Sequence, residues 1–500
     1  MISKISTVAF QGIQAEEVTV EVQMSPGLPA FNIVGLPDKA VGESRERVRA
    51  SFHHLGLSFP PKRITVNLAP ADIQKEGSHY DLPIALGLMA AMEILDGIEL
   101  SQYTALGELG LDGRLAAVVG VLPAAMNASM HKRGLICPEV SGREAAWAGD
   151  LQILAPPNLL TLINHFKGVQ VLSPPVAELA PTLSTNGHTI NLKDIKGQVL
   201  AKRALEIAAA GGHNILMMGP PGAGKSMLAR CLPSLLPPLE PHEALEVTMI
   251  HSLAGLLPES GLIHQRPFRD PHHSASLVSL VGGGNRVKPG EISLAHQGVL
   301  FLDELPEFSR PTLESLRQPL ETGKIVVARA NNHATYPARI QVVAAMNPCR
   351  CGYFGDLERQ CHRAPVCASD YQNKISGPLL DRFDLLFHVQ SLNADELLTH
   401  KEAESSETVA ARVKQARFLQ QGRHKNVASW LNATIDGEHL KQIAEPDEDG
   451  KILLNKAIEK MRLSARGYHR ILRVSRTIAD LEGCNSIEKR HIAEALGYRQ

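Results

Sequence analysis

The stretch NILMMGPPGAGKSMLARCL, residues 214–232, constrains this chain more than any other. An apolar run leads into eight residues of the form G-x-x-x-x-G-K-S, and a helix-forming run follows. Gly219, Gly222 and Gly224 let the backbone curl until its N–H groups face a phosphate. The expected nucleotide-binding residues are therefore Gly219, Pro220, Pro221, Gly222, Ala223, Gly224, Lys225, Ser226 and Met227. Lys225 brings charge to the terminal phosphates, and the Ser226 hydroxyl is a Mg²⁺ ligand. The helix opening near Met227 turns its positive end toward the anion. A chance glycine turn is the bland alternative, but the strand before the loop and the helix after it argue against one. Short apolar strands alternating with helices indicate an α/β fold with a parallel sheet buried on both faces.

Hydrolysis needs further groups, and the sequence offers them in order. GVLFLDEL, residues 298–305, is an apolar strand that ends in two carboxylates. Asp303 is placed to hold Mg²⁺ and Glu304 to polarise the attacking water; an acidic cap after a core strand is the plain alternative. RIQVVAAMN ends in Asn347, an amide suited to positioning water beside a γ-phosphate. In SGPLLDRFDLLF, Arg382 stands between two aspartates. It is either half of an ion pair within the chain or a guanidinium delivered to a neighbouring subunit's triphosphate. LSARGYHRILRVSRT opens a helix with Arg466, which would reach the nucleotide from the lid, and Arg473 and Arg476 on the same helix are rivals.

The 500 residues suit two or three domains, and 44% apolar with 21% charged residues suits large buried cores. Net charge is −1, which gives no bulk basic footprint for nucleic acid. A ring that keeps a few basic residues in its pore remains compatible with that balance. No apolar run nears the roughly 20 residues that cross a bilayer, and the first residues lack a secretion signal; the cytoplasm is the expected compartment. SPPVAELAPTLSTNGHT, residues 173–189, reads as a linker. The expected organisation is an amino-terminal domain over 1–170, a linker over 171–190, an ATPase core over 191–392 and a helical domain over 393–500.

Four of the seven cysteines crowd into MNPCRCGYFGDLERQCHRAPVC. Cys349, Cys351, Cys361 and Cys367 suit a tetrahedral structural Zn²⁺ site, with His362 a substitute for one thiolate and free surface thiols the alternative. The pair His272–His273 has no carboxylate spacing that supports a metal. The basic stretch ESRERVRASFHHLG, with Arg45, Arg47 and Arg49, is a solvated helix face or a contact face.

RPFRDPHHSASLVSLVGGG, PGEISLAHQGVLFLDELPEF, MNPCRCG and ISGPLLDRFDL resemble the YifB/ComM family of magnesium-chelatase-like AAA+ ATPases, over the whole chain. The resemblance implies an α/β AAA+ P-loop parallel sheet with a helical lid of the Mg-chelatase C-terminal type. An α+β Lon-protease-like domain, of the ribosomal S5 domain 2-like kind, would precede it. It implies ATP and Mg²⁺ as cofactors, with Asn347 as sensor 1, Arg382 as arginine finger and Arg466 as sensor 2. A helix-2 insert would lie around 251–290 and a second hairpin around 323–340, both projecting into a pore. At that hairpin's tip Arg329, Asn331, Asn332 and His333 would contact a phosphate backbone, unless they form a plain solvated turn.

The activity implied is that of a homo-hexameric branch-migration helicase on single-stranded and branched DNA during natural transformation. Recombination proteins are further partners, and no membrane is involved. The runner-up is a chelatase-like ATPase that remodels a protein partner; chelatase I subunits are expected to resemble only the AAA+ part. Within TVNLAPADIQKEGSHYDLPIALGLMA, residues 65–90, the Lon-type nucleophile position falls on His79, beside Ser78, and Pro123 stands where the lysine base would be. The domain is therefore expected to be catalytically inactive.

Overall fold

The computed structural model describes residues 2–177, 190–258, 261–284, 287–329, 332–355, 361–391, 404–423 and 430–499. Most of the expected linker, 178–189, and residues 392–403, where the expected ATPase core passes into the helical domain, lie outside these.

The amino-terminal domain is built on a seven-stranded mixed sheet. Its order is Ala30–Val34, Arg63–Ala69, Gln14–Ser25, Ile2–Gln11, Tyr103–Ala105, Gly134–Ile136, Ile153–Leu154. The alternation in VTVEV and RITVNL buries Val18, Val20, Val22, Ile64, Val66 and Leu68 on one face, as the period of a half-covered strand requires. Helix Asp81–Ala91 lies across that face and is buried along nearly its whole length. Gly87 makes the approach possible: a Cβ there would lie 2.7 Å from a Val22 methyl.

The same helix begins with a buried carboxylate. Asp81 is fully buried and accepts from Arg47 Nε and Nη2 at 2.5 and 2.9 Å and from Leu109 N at 3.1 Å. Arg47 thus turns inward, whereas Arg45 and Arg49 face solvent. Removing one member of a buried pair strands the other charge. Arg47→Ala is expected to lower the stability of the amino-terminal domain by about 3 kcal/mol, measured from its transition in chemical denaturation.

The second sheet has five strands, all parallel, in the order Phe268–Arg269, Val299–Leu302, Gln341–Met346, Ile215–Met218, Leu385–His388. Cores lie on both faces, which is why three of these strands read as unbroken apolar runs. In such sheets ligands gather at the carboxyl ends of the central strands. That edge carries the phosphate loop, Asp303, Glu304 and Asn347.

Between the phosphate-loop helix Lys225–Leu235 and the strand Val299–Leu302 come helix Pro241–Ala254, a short helix Leu277–Val281 and a two-residue ribbon. The insert expected around 251–290 thus begins inside a longer helix. Lys324–Arg329 and Asn332–Pro337 pair antiparallel as a hairpin ahead of the strand Gln341–Met346. The amino-terminal domain touches both features. Ser252 Oγ donates to buried Glu144 at 2.5 Å and accepts from Gly120 N at 3.0 Å. Gly12 sits so close to the hairpin that a Cβ would lie 2.5 Å from the Thr335 carbonyl oxygen.

The carboxy-terminal helices Ser406–Arg423, Glu448–Met461, Ala465–Leu481 and Lys489–Gly497 share one apolar core with helix Val199–Gly211 and the sheet. The end of that helix leaves carbonyls that need donors. Arg417 Nε and Nη2 donate to Ala209 O at 2.9 and 2.7 Å, Gln420 donates to Ala210 O, and Gln341 donates to Ala208 O.

Candidate nucleotide site

Gly222 and Gly224 take φ of 78° and 88°, the left-handed region that favours glycine. They turn the chain into helix Lys225–Leu235, whose N-cap is Gly224. Lys225 is buried to 8% exposure, and its Nζ donates to Gly219 O, Pro220 O and Asn347 Oδ1 at 2.8, 2.9 and 3.1 Å. Burial pushes its pKa down, against the opposing pull of Asp303 and Glu304. Ser226 Oγ donates to Asp303 Oδ2 at 2.8 Å. The two oxygens that the sequence assigned to Mg²⁺ are thus adjacent and belong to different elements, a hydroxyl and a carboxylate as a hard cation needs. Lys225 and Asn347, Ser226 and Asp303 converge on one edge of the sheet, so the residues fit both a triphosphate and its metal.

Glu304 adopts φ 50°, which swings its side chain off the strand axis. His273 Nδ1 lies 3.3 Å from Glu304 Oε2, and the His272 and His273 ring centroids lie 4.1 Å apart with the planes tilted by 33°. Sequence reasoning asked only whether this pair binds metal. Its contact with the Glu304 carboxylate arises because the edge strand Phe268–Arg269 runs beside Val299–Leu302.

The arginines lie elsewhere. Leu385 pairs with Ile215 and His388 with Met218, so Arg382 sits beyond the amino end of the sheet, opposite the phosphate loop. A strand of this length separates the two edges by roughly 13 Å. Arg382 pairs with Glu321 and not with either flanking aspartate: Asp381 takes Arg470 Nη2 at 2.9 Å, and Asp384 lies 3.3 Å from His213 Nδ1. Burial, then the charges of Arg466, Arg317 and Arg470, push the Arg382 pKa down. The charge of Arg466 thus acts on Arg382. Arg466 opens helix Ala465–Leu481, and its carbonyl accepts from Arg470 Nε at 3.3 Å. Its rivals have structural work, Arg473 on Ile435 O and Asp436 and Arg476 on Asp480 and the Asn485 carbonyl.

The Sγ atoms of Cys349, Cys351, Cys361 and Cys367 all lie within 4.8 Å of one another, with Cys349 and Cys351 3.1 Å apart. A tetrahedral Zn²⁺ with Zn–S of about 2.3 Å holds its sulfurs about 3.8 Å apart, so the four thiols fit that ion. At the hairpin tip Asn331 lies outside the described residues. Arg329 and Asn332 close the ladder as its last pair, and His333 is exposed.

In the amino-terminal domain Ser78 Oγ donates to Glu108, His79 Nε2 lies 2.9 Å from Val8 O, and the buried Lys75 Nζ donates to Pro70 O. Among the described residues no lysine stands against Ser78, and no Ser–Lys pair is formed.

No described helix is long and apolar enough to cross a membrane. The family described as "Magnesium chelatase, subunit ChlI" matches residues 191–397, and its C-terminal counterpart matches 403–499. The family described as "Subunit ChlI of Mg-chelatase" matches residues 20–141, so likeness to chelatase subunits extends beyond the AAA+ part, against the expectation above. Competence protein ComM of Haemophilus influenzae is 46% identical over 495 residues, 98% of this chain and 96% of its own length. The YifB protein of Salmonella typhimurium is 43% identical over 496 residues, 99% of this chain and 96% of its own length. The magnesium-chelatase 38 kDa subunit of Rhodobacter capsulatus is 27% identical over 337 residues, 63% of this chain and 89% of its own. With phosphate loop, paired carboxylates and a polar amide on one edge of a parallel sheet, and with relatives of this identity along its whole length, the chain belongs to the YifB/ComM family of magnesium-chelatase-like AAA+ ATPases.

Proposed function

We propose that this ATPase is a ring-forming DNA motor, a homo-hexamer that drives branch migration of recombination intermediates during natural transformation, in the cytoplasm. The observation that carries the reading is the strand register. Phosphate loop and Arg382 occupy opposite edges of one sheet, so in this reading Arg382 serves a nucleotide across a subunit boundary, and Arg466 reaches the nucleotide from the lid. In this reading Lys225 and the loop amides bind ATP. Ser226 and Asp303 hold Mg²⁺, which neutralises phosphate charge. Glu304 accepts the proton of a water that Asn347 positions, and the neighbour's Arg382 stabilises the charge on the transferred phosphoryl group. A shared site ties each hydrolysis to motion between protomers. Hairpin tips that carry Arg329, Asn331, Asn332 and His333 would then step along a backbone that is alike at every nucleotide. A relative whose name is competence protein supports DNA as the object. The four thiolates hold a structural Zn²⁺, which supplies a cross-link and no catalytic position.

The chelatase-like alternative, remodelling of a protein partner, has its support in the chelatase descriptions of all three matching families. One experiment separates them. ATPase rate is expected to rise several-fold with single-stranded or four-way-junction DNA. A labelled junction should be processed with ATP but not with a non-hydrolysable analogue, with Lys225→Ala protein as the blank. A rate indifferent to every DNA form would overturn the motor reading and favour a protein partner.

A further inference from the structure

The cysteine cluster and the phosphate loop touch. Gly352, next to Cys351, is buried at φ 86°, and its N–H donates to Cys349 O at 2.9 Å to close a turn. A Cβ on Gly352 would lie 2.6 and 2.7 Å from Pro221 Cδ and Cγ. The turn therefore rests its bare backbone on the proline ring, and only glycine permits so close a seat. Pro221 is itself an exposed loop residue. Two further routes join the cluster to the site. Asn347, two residues before Cys349, accepts from Lys225 Nζ at 3.1 Å. Cys367 stands in helix Val366–Gln372, whose Gln372 donates to Pro348 O at 2.9 Å; in the same helix, burial and the charges of Glu307 and Glu304 push the Tyr371 hydroxyl pKa up.

We propose that zinc occupancy of the Cys349, Cys351, Cys361 and Cys367 cluster sets the nucleotide affinity of the phosphate loop in the same chain, through Gly352 seated on Pro221. This rests on the zinc reading above. With all four thiolates on one ion, the turn at 349–352 is fixed and the loop is held ready for phosphate. Without the ion, four crowded sulfurs repel, the turn opens, and binding must order the loop as well as fill it.

The test compares zinc-loaded protein with protein stripped by a zinc-selective chelator, using a fluorescent ATP analogue with Mg²⁺ present. Stripping is expected to weaken binding about tenfold at unchanged circular dichroism, and added zinc should restore it. Gly352→Ala separates the contact from the metal: zinc content by mass spectrometry should stay full while affinity falls, because the new methyl displaces Pro221. Stripped, folded protein that binds the analogue as before would overturn the proposal alone, as would Gly352→Ala with normal affinity. A chain that takes up no zinc at all would retire the zinc reading, and this inference with it.

Discussion

Arg382→Ala is expected to lower ATP turnover by about 10³-fold or more in assembled protein while nucleotide affinity stays nearly unchanged. The split follows from the register. The phosphate loop, Lys225 and Asp303 of each chain are untouched by a change at the opposite edge of the sheet, so binding persists. What disappears is a planar, bidentate donor aimed at charge that develops only during phosphoryl transfer. Within the chain the change frees Glu321, which is half exposed, so the cost to folding is small. Complementation makes the result sharper. A mixture of Arg382→Ala and Lys225→Ala chains should regain turnover, since some interfaces pair an intact loop with an intact arginine. Wild-type turnover by assembled Arg382→Ala protein would refute a site shared between subunits.

Glu304→Gln should reduce the hydrolysis step by about 10²- to 10⁴-fold, the range for loss of a general base, again with binding preserved. The amide keeps the size of the carboxylate, which lies 3.3 Å from His273 in the wild type, but accepts no proton. Asp303 keeps its contact with Ser226, so the metal site stands. Single-turnover hydrolysis measured beside binding of a fluorescent analogue reads the two effects separately. A hydrolysis step within several-fold of wild type would remove Glu304 from the role of base.

Where function follows from neighbours in sequence, it was legible. The glycines of 219–224 sit between strand and helix, and Asp303 follows four apolar residues, because each device is one strand and the turn after it. The four cysteines span few enough residues that their convergence could be anticipated. What stayed hidden comes from pairings between distant segments. An ion pair for Arg382 within the chain suggested a flanking aspartate, yet Asp381 and Asp384 turn to Arg470, on helix Ala465–Leu481, and to His213, just past helix Val199–Gly211. Only the parallel register shows that Arg382 stands at the edge opposite the phosphate loop. His273 meets Glu304 through the order of strands, which no local pattern encodes. The seat of Gly352 on Pro221 joins residues more than a hundred positions apart.

The carbonyls at the end of helix Val199–Gly211 have a consequence for how force is transmitted. They receive their donors from Arg417 and Gln420, on the far side of the chain's last boundary, and from Gln341 in the sheet itself. To tilt the carboxy-terminal helices against the sheet would strip the Ala209 and Ala210 oxygens of these donors in a dry interior, at a cost of about 1–3 kcal/mol for each. Core and lid of one subunit are thus welded into a single lever. In the proposed ring, the stroke that ATP produces would then be taken up at the seams between such levers.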